Sequence, residues 1–457
     1  MATSPMYSKT IVPIGRRAWL PLALVLALGA GCATYSDRTL AARNSLLKGD
    51  LHGGEAKLNG LLGVDSSRDL PSKWGSETAL TLLERATVLQ AQGHYRVSAR
   101  DFSAAEKELE LLDIARDDVG SIGKYVYSDD ATKYKTTPTE KLLLNAFNMV
   151  NYLAQGDLAG ARVEARRFEV MRKYLRDYAP DESHGAFGAY LAGLIAERSG
   201  DAEEALRYYD EVLAESQAPS LSEPIRRLAR LSSYRTPRIS AVLDEAESGQ
   251  PAQPLPAEIV VIVKTGQSPV KEARRIPVGA ALGLAANYVS GDTKVLEYGM
   301  FKVVSYPDLM PAKSVFTSAS VRLGESAVAL DPITNVSAEI SREYEALKPK
   351  IVGAALTRMI VRAAAAEAAR YAGRQQSSGL GFLAAALVEG TMVALDKPDT
   401  RSWSTLPARV QLTRIAVEPG THEVELEVRG MGVPVRVYRT VEVAQGGLAV
   451  IDLTTLR

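Results

Sequence analysis

The stretch Gly249-Gln-Pro-Ala-Gln-Pro-Leu-Pro256, with the run Glu258-Ile-Val-Val-Ile-Val-Lys264 close behind it, divides this 457-residue chain into two differently patterned parts. The three prolines and the lack of a helical period predict a linker. The run after it is rich in β-branched residues, which predicts a strand. We therefore expect one domain at 32–250, a linker at 251–257 and a second domain at 258–457.

The region before the linker has apolar residues at three- and four-residue spacing, which predicts helices. Glycines at positions 49, 93, 156 and 200 are each followed by small, apolar or aromatic residues in a similar register. This pattern is typical of the turn and second helix of a tetratricopeptide repeat. The glycines are 44, 63 and 44 residues apart, whereas the regular repeat has about 34 residues. We predict an all-α, tetratricopeptide-like helical stack with an insertion at about 117–138.

The predicted insertion is polar and rich in tyrosine. Tyr125, Tyr127 and Tyr134 lie in it, and they are candidate partner contacts because tyrosine offers a rigid, amphipathic surface. The alternative is that these side chains pack back on the helices and hold the loop in place.

Two arginines after the third turn glycine form a second candidate contact. Arg162 and Arg166 are four residues apart and therefore share one face of a predicted helix. In the functional interpretation they bind acidic groups of a partner. In the structural interpretation they pair with Glu164, Glu169 or carboxylates of a neighbouring helix.

The region after the linker alternates between strand and helix patterns. The predicted strands are 258–264, 270–276, 301–306, 314–317, 326–330, 409–417, 422–429, 433–443 and 448–453. We expect the second strand to pair back on the first, and the last four to form a meander. Helical patterns predict a hairpin at about 337–395, whose apolar stretch 379–388 is too short to span a membrane. A hairpin that touches the membrane is the alternative. The predicted fold class is thus α+β, a helical stack followed by a β-sandwich-like domain with an inserted helical hairpin.

The amino terminus has the layout of a secretory signal. Residues 1–17 carry three cations and no anion, and residues 18–30 are uncharged. Cys32, the only cysteine, follows directly. The stretch resembles the lipobox of bacterial lipoproteins, which implies a signal peptide at 1–31 and lipid attachment at Cys32. With Ala33 next, the resemblance implies an outer-membrane lipoprotein of the bacterial envelope that faces the periplasm. The alternative is an ordinary secreted protein.

Composition and motifs argue against several function classes. Lys and Arg total 54, as do Asp and Glu, so no excess of basic charge predicts nucleic-acid binding. The four histidines lack ligand spacing, and no GxSxG motif is present. Gly379 to Ala384 spells GxGxxA but lacks a preceding strand. We therefore predict no catalytic residue, no cofactor, no metal and no small-molecule substrate, and expect that the protein is not an enzyme.

The combination resembles an uncharacterised family of bacterial lipoproteins with a repeat-like helical region and a β-rich region. The residues that carry the resemblance are Leu144-Asn145, Asn151-Tyr152-Leu153, Gly156-Asp157, Ala161-Arg162, Arg166-Arg167, Thr265-Gly266, Pro269-Val270, Asp399-Thr400-Arg401-Ser402-Trp403 and Leu406-Pro407. The resemblance implies no activity. Our hypothesis is a protein-binding scaffold or assembly accessory for an envelope complex. The alternative is a carbohydrate-binding or hydrolytic protein in which Trp403 and Tyr438 stack on sugar.

Overall fold

The structure, a computed structural model, describes residues 33–111, 133–178, 185–244, 255–291, 293, 303–311, 313–374 and 397–457. Within them the chain is an α+β protein, with helices before the linker and two main sheets after it. This confirms the predicted fold class. The predicted signal peptide, Cys32, Tyr125, Tyr127 and the second helix of the predicted hairpin lie outside the described residues.

Helical hairpins build the part before the linker. Each of the four predicted turn glycines joins two helices and has a φ angle between 72° and 83°. Glycine adopts this left-handed conformation without strain because it has no Cβ. The helices are α1 (Tyr35–Leu47), α2 (Leu51–Leu62), α3 (Thr78–Ala91), α4 (Tyr95–Glu106), α5 (Pro138–Ala154), α6 (Leu158–Tyr178), α7 (Ala186–Arg198), α8 (Ala202–Glu215), α9 (Ser222–Leu228) and α10 (Pro237–Asp244).

The start of α5 follows from its local sequence. The Thr137 hydroxyl accepts a hydrogen bond from the backbone N–H of Glu140, and the Glu140 carboxylate accepts one from the backbone N–H of Thr137. Pro138 follows at the first helical position, where a backbone N–H is not needed. This reciprocal cap fixes where the chain enters the most buried part of the helical region.

Two four-stranded sheets form a β-sandwich after the linker. One has the order β12-β3-β9-β8 and the other β11-β10-β6-β7. Ile259 and Val261 of the first sheet share an apolar core with Val424 and Leu426 of the second. The strands are β1 (Glu110–Leu111), β2 (Lys135–Thr136), β3 (Ala257–Thr265), β4 (Val270–Pro277), β5 (Val303–Met310), β6 (Phe316–Leu323), β7 (Ser326–Ala329), β8 (Asp331–Thr334), β9 (Arg409–Val417), β10 (Gly420–Gly430), β11 (Val435–Val443) and β12 (Leu448–Thr455).

Several predicted strand pairings are wrong. β4 pairs antiparallel with β5 and not with β3. After β3 the chain leaves the sheet, because the N–H of Gly266 donates to the Thr455 carbonyl at 2.8 Å and Gln267 pairs with Lys313. β9 and β10 belong to different sheets, and β12 lies parallel to β3. The last four strands therefore do not form a meander, and only β10 and β11 pair as neighbours.

Strand β3 is buried along its whole length. Successive side chains of a strand point to opposite faces, so Ile259 and Val261 face the second sheet, whereas Val260 and Ile262 face the helices. The latter two belong to one apolar core with side chains of α3, α5 and α7. The helical region and the sandwich thus share a core across the linker at 251–257.

Buried charges cross the same junction. Glu197 of α7 accepts hydrogen bonds from Nη1 and Nη2 of Arg414 on β9, at 2.8 and 2.9 Å. Arg414 Nη2 also donates to Glu258 of β3 at 2.5 Å. Burial alone would raise the pKa of Glu197, but Arg414 lowers it to about 2. Removing one partner from such a buried pair costs about 3–5 kcal/mol, so this network holds the helical region in one position on the sheet.

Two further helices, α11 (Val278–Ala285) and α12 (Val336–Arg374), lie between the strands. α12 confirms the first helix of the predicted hairpin. Within the described ranges, no helix combines the length and apolar character needed to cross a membrane.

Two carboxyl groups near the start of α12 are crowded by other acids. Burial raises the pKa of Glu339 to about 8, with further contributions from Glu215 and Glu343, whereas Arg342 opposes the shift. Burial also raises the pKa of Glu343 to about 7, although Thr139 donates to its Oε1 from both the backbone and the hydroxyl at 2.8 Å. In the folded protein both carboxyl groups therefore stay protonated to a higher pH than an ordinary glutamate does.

The free energy of unfolding should consequently fall as the pH rises from about 5 to 8. Both groups bind protons more tightly when folded, so their stabilising contribution is complete below their ordinary pKa of 4.5 and is lost through 7 and 8. Each pKa unit corresponds to about 1.4 kcal/mol, and after allowance for partial exposure we expect a loss of roughly 2 kcal/mol for each group.

Urea denaturation between pH 5 and 9 measures this dependence. The double variant Glu339→Gln/Glu343→Gln should remove most of the slope between pH 6 and 8. Glu345→Gln, at an exposed position of the same helix, should keep it. An unchanged slope in the double variant would contradict the assignment.

Candidate partner-binding groove

Arg162 and Arg166 lie on the exposed side of α6. The inner side of this helix carries Ala161 and Phe168, which are buried in the helical core, and Ala165 lies between the two sides. Side chains four residues apart lie on adjacent turns of one helix face. The packing of α6 therefore directs both guanidinium groups away from the core and to the same side.

The carboxylates expected to neutralise these arginines have other partners. Glu164 points inward and accepts a hydrogen bond from Arg167 at 3.1 Å. Glu169 accepts hydrogen bonds from Arg172 at 2.8 Å and Arg176 at 3.2 Å. Among the described residues, Arg162 and Arg166 have no ion-pair partner. The pairing with Glu164 or Glu169 in the structural interpretation is therefore wrong.

Both arginines line a groove between α6 and α8, which we call the α6–α8 groove. Its volume is about 810 Å³. It is lined by Arg162, Ala165 and Arg166 of α6, Ala192, Ile195 and Ala196 of α7, residues 199–204, Tyr208 of α8 and residues 231–233. Ala165, Ala192 and Ala196 leave space between the helices that longer side chains would fill. The groove is large enough to accept several side chains of a peptide.

Charge is distributed unevenly along the groove. The α6 wall carries the two arginines, whereas Asp201, Glu203 and Glu204 lie at the start of α8. Asp201 is engaged as the helix cap, since its Oδ1 accepts from the backbone N–H of Glu204 at 3.0 Å. The side chain of Glu204 lies 3.7 Å from Arg207. The acidic end is thus partly neutralised locally, and the basic wall is not.

Tyr208 on the α8 wall packs against an arginine of α6. The Arg172 guanidinium stacks on the Tyr208 ring at 5.2 Å from its centroid. Burial raises the pKa of Tyr208 to about 12, so its hydroxyl stays protonated at neutral pH. The groove thus offers two guanidinium groups without ion-pair partners in the described structure beside a neutral aromatic wall, a combination suited to binding an anion.

The described part of the chain offers no cluster suited to a metal ion. The groove lining contains neither histidine nor cysteine. No group of three His, Cys, Asp or Glu side chains in the described ranges is placed to hold a metal ion.

Tyr134 differs from its predicted role as a partner contact. Its side chain is buried, and its hydroxyl lies 2.7 Å from both carboxylate oxygens of Glu140. Packing on the helices, the alternative interpretation, therefore describes this tyrosine. The other two candidate tyrosines, Tyr125 and Tyr127, are not among the described residues.

Trp403 is a core residue and not a platform for sugar. It is 1% exposed, its ring lies 5.7 Å from Phe102 and 5.9 Å from Phe147, and its Nε1 donates to Thr87 at 3.0 Å. Tyr438, its proposed companion, is 66% exposed on β11. The two rings therefore do not share one surface, and the sugar-stacking interpretation of this pair is wrong.

Sequence reasoning missed the floor and the second wall of the groove. The small residues Ala192 and Ala196 are four apart on α7, which is a signal for close approach or open space along one helix face. Tyr208 and Ser233 have no comparable signal, because their position depends on how α8 and the segment after α9 pack.

No protein-family model matches the chain, and neither the curated proteins nor the solved structures include a detectable relative.

The two groove arginines should contribute little to stability, in contrast to their neighbour Arg167. Arg167→Ala removes the hydrogen bond to buried Glu164 and that to Glu106 at 2.8 Å, so we expect a loss of about 1 kcal/mol. Arg162→Ala and Arg166→Ala should each change the free energy of unfolding by less than about 0.5 kcal/mol. Denaturant titrations of the three variants measure this difference. Equal destabilisation by Arg166→Ala and Arg167→Ala would show that Arg166 has a structural role.

Proposed function

We propose that the protein is a lipid-anchored scaffold of the bacterial envelope that holds an acidic segment of a partner protein in the α6–α8 groove. The observation that carries this proposal is the pair Arg162 and Arg166, two cations without carboxylate partners in the described structure on the wall of an 810 Å³ groove. Arginine suits this role because its planar guanidinium binds carboxylates in a bidentate manner.

The lining of the groove favours an extended, polar segment. Ala192, Ile195 and Ala196 lie at its base and are almost fully buried, so they offer little apolar surface to a partner. A carboxylate that enters beside the arginines gains charge-assisted hydrogen bonds, which are the main attraction available there.

The first helices of the hairpins, such as α3 and α7, are buried, which leaves the second helices to form a binding surface. The residues of α7 from Ala186 to Glu197 are all buried, and so are those of α3 from Ala79 to Gln90. The chain's own sheet covers part of this inner side. A tetratricopeptide-like stack of this kind would therefore hold its partner between second helices of neighbouring hairpins, such as α6 and α8, instead of on the inner helices.

We further propose that the lipid on Cys32 concentrates this scaffold at the outer membrane, on its periplasmic side. In this proposal the protein acts by holding a partner at the place where a complex assembles, and it does not convert a substrate.

The groove can be tested with a photo-cross-linking amino acid at the exposed position Ser233, incorporated into the full chain in its own envelope. We expect it to capture a partner through a segment rich in Asp and Glu, identified by mass spectrometry. A cross-linker at the exposed Ser72 should not capture that segment. Arg162→Glu/Arg166→Glu should abolish the adduct, whereas Arg96→Glu, at an exposed position on α4, should preserve it.

The captured segment, synthesised as a peptide, should bind the double variant about 100-fold more weakly, since a charge-assisted hydrogen bond contributes at least about 1.5 kcal/mol for each arginine. A basic or uncharged captured segment, or an adduct that survives charge reversal, would overturn the groove assignment.

The anchor has its own test. Labelling cells with radioactive palmitate should mark the full chain and leave Cys32→Ala unlabelled. The unlabelled variant should also leave the membrane fraction, because attached acyl chains are what hold such a protein at the bilayer. Membrane association of an unlabelled wild-type chain would refute the lipid anchor.

A further inference from the structure

A second cavity lies where α12, the β4–β5 ribbon, the start of α5 and the segment 397–408 meet. We call it the junction cleft. One face of α12 forms a wall through Ile340, Tyr344, Leu347, Ile351 and Ala354, whose spacing alternates between four and three residues. Pro269, Pro307 and Leu309 of the ribbon region form the opposite wall, and Tyr134 and Trp403 form the floor.

The inner polar groups of the junction cleft already have partners. Tyr134 is hydrogen-bonded to Glu140, and Arg401 binds Asp399 through two bonds of 2.8 Å. The Tyr344 hydroxyl donates to the Pro307 carbonyl at 2.6 Å. Apolar side chains make up most of the remaining lining, so a molecule that reaches the floor gains most from an apolar body.

Cations exceed anions around this apolar interior. The lining contains Lys135, Lys271, Lys350, Arg358 and Arg401 but only two carboxylates, Glu140 and Asp399. Asp399 is bound by Arg401, and Glu140 accepts from Tyr134 and from the backbone of Thr137 and Trp403.

The side chains of Lys135 and Lys271, both half-buried, have no ion-pair partner among the described residues. Their positive field favours an anion near the opening of the cleft.

The volume restricts the size of the occupant. The enclosed part of the cleft is about 100 Å³, and an apolar cavity of about 150 Å³ accommodates benzene. The enclosed space is smaller than that, so it holds the end of one acyl chain but neither a ring nor the two long chains of a phospholipid.

We propose that the junction cleft binds a small amphipathic carboxylate, with the end of its acyl chain between α12 and the ribbon and its carboxylate beside Lys135 and Lys271. This site is independent of the α6–α8 groove, since the two share no lining residue. Its failure would leave the proposed scaffold function untouched, and the reverse also holds.

Three probes distinguish the contribution of the alkyl chain from that of the charge. Octanoate has an eight-carbon chain and a carboxylate, 1-octanol has the alkyl chain without the charge, and acetate has the carboxylate without a long alkyl chain. The full chain in lipid nanodiscs, with empty nanodiscs as the blank, should bind octanoate in calorimetry at least tenfold more tightly than octanol and show no heat with acetate. Hydrogen exchange should locate the site, because octanoate should slow exchange in residues 340–354 of α12 and in β4.

Variants test each half of the site. Lys135→Gln/Lys271→Gln should weaken octanoate binding about tenfold at low salt and leave octanol binding unchanged, with Lys73→Gln, an exposed lysine elsewhere, as the control. Ala354→Leu fills the apolar wall and should abolish binding of both probes. Thermal unfolding of this variant, compared with that of the wild type, serves as the control for folding.

Octanoate binding that is unaffected by the double lysine variant would overturn the proposal. Equal affinity for octanol and octanoate would also overturn it, as would exchange protection confined to residues outside the cleft.

Discussion

The burial of β3 on both faces is the constraint on which the rest of the structure depends. A strand covered on both sides needs two apolar layers, and here one is the second sheet while the other consists of the inner helices. The face toward the helices carries Glu258 and Lys264 at its ends and two apolar residues between them. Glu258 is paired with Arg414, and Lys264 with Asp452 at 3.0 Å. Glu258 also binds Arg198 of α7, and Lys264 also donates to Gln90 of α3. Because an unpaired buried charge is costly, these contacts favour one register between helices and sheet.

Local patterns predicted most elements, but not how the strands pair. The turn glycines, the run at Glu258–Lys264 and the long helix from about residue 337 are set by neighbouring residues, which sequence periodicity reports directly. Pairing of β3 with β12 and of β4 with β5 depends on segments far apart in the chain. Gly266 illustrates the limit: it lies between two segments that the sequence predicts to pair with each other, but its N–H donates to the carbonyl of Thr455, a partner that no local pattern predicts.

The candidate groove shows the same division. The spacing of Arg162 and Arg166 placed them on one helix face, and that face is exposed. The sequence does not show whether a carboxylate neutralises them. In the structure the nearby glutamates, Glu164 and Glu169, are hydrogen-bonded to Arg167, Arg172 and Arg176 instead. The aromatic candidates differ from their predicted roles for a related reason. The polar atoms of Tyr134 and Trp403 are hydrogen-bonded to buried partners, so both side chains stabilise the core and are not available at the surface.

The parallel pairing of β12 with β3 has a consequence for the chain while it is being made. Lys264 and Asp452 are 188 residues apart, and synthesis at about 5–20 residues per second separates their emergence by roughly 10–40 s. During that interval β3, with its five consecutive β-branched residues, lacks the neighbour that closes this edge. Such a segment readily pairs with other chains. The nascent protein therefore exposes an aggregation-prone strand until β12 has been synthesised.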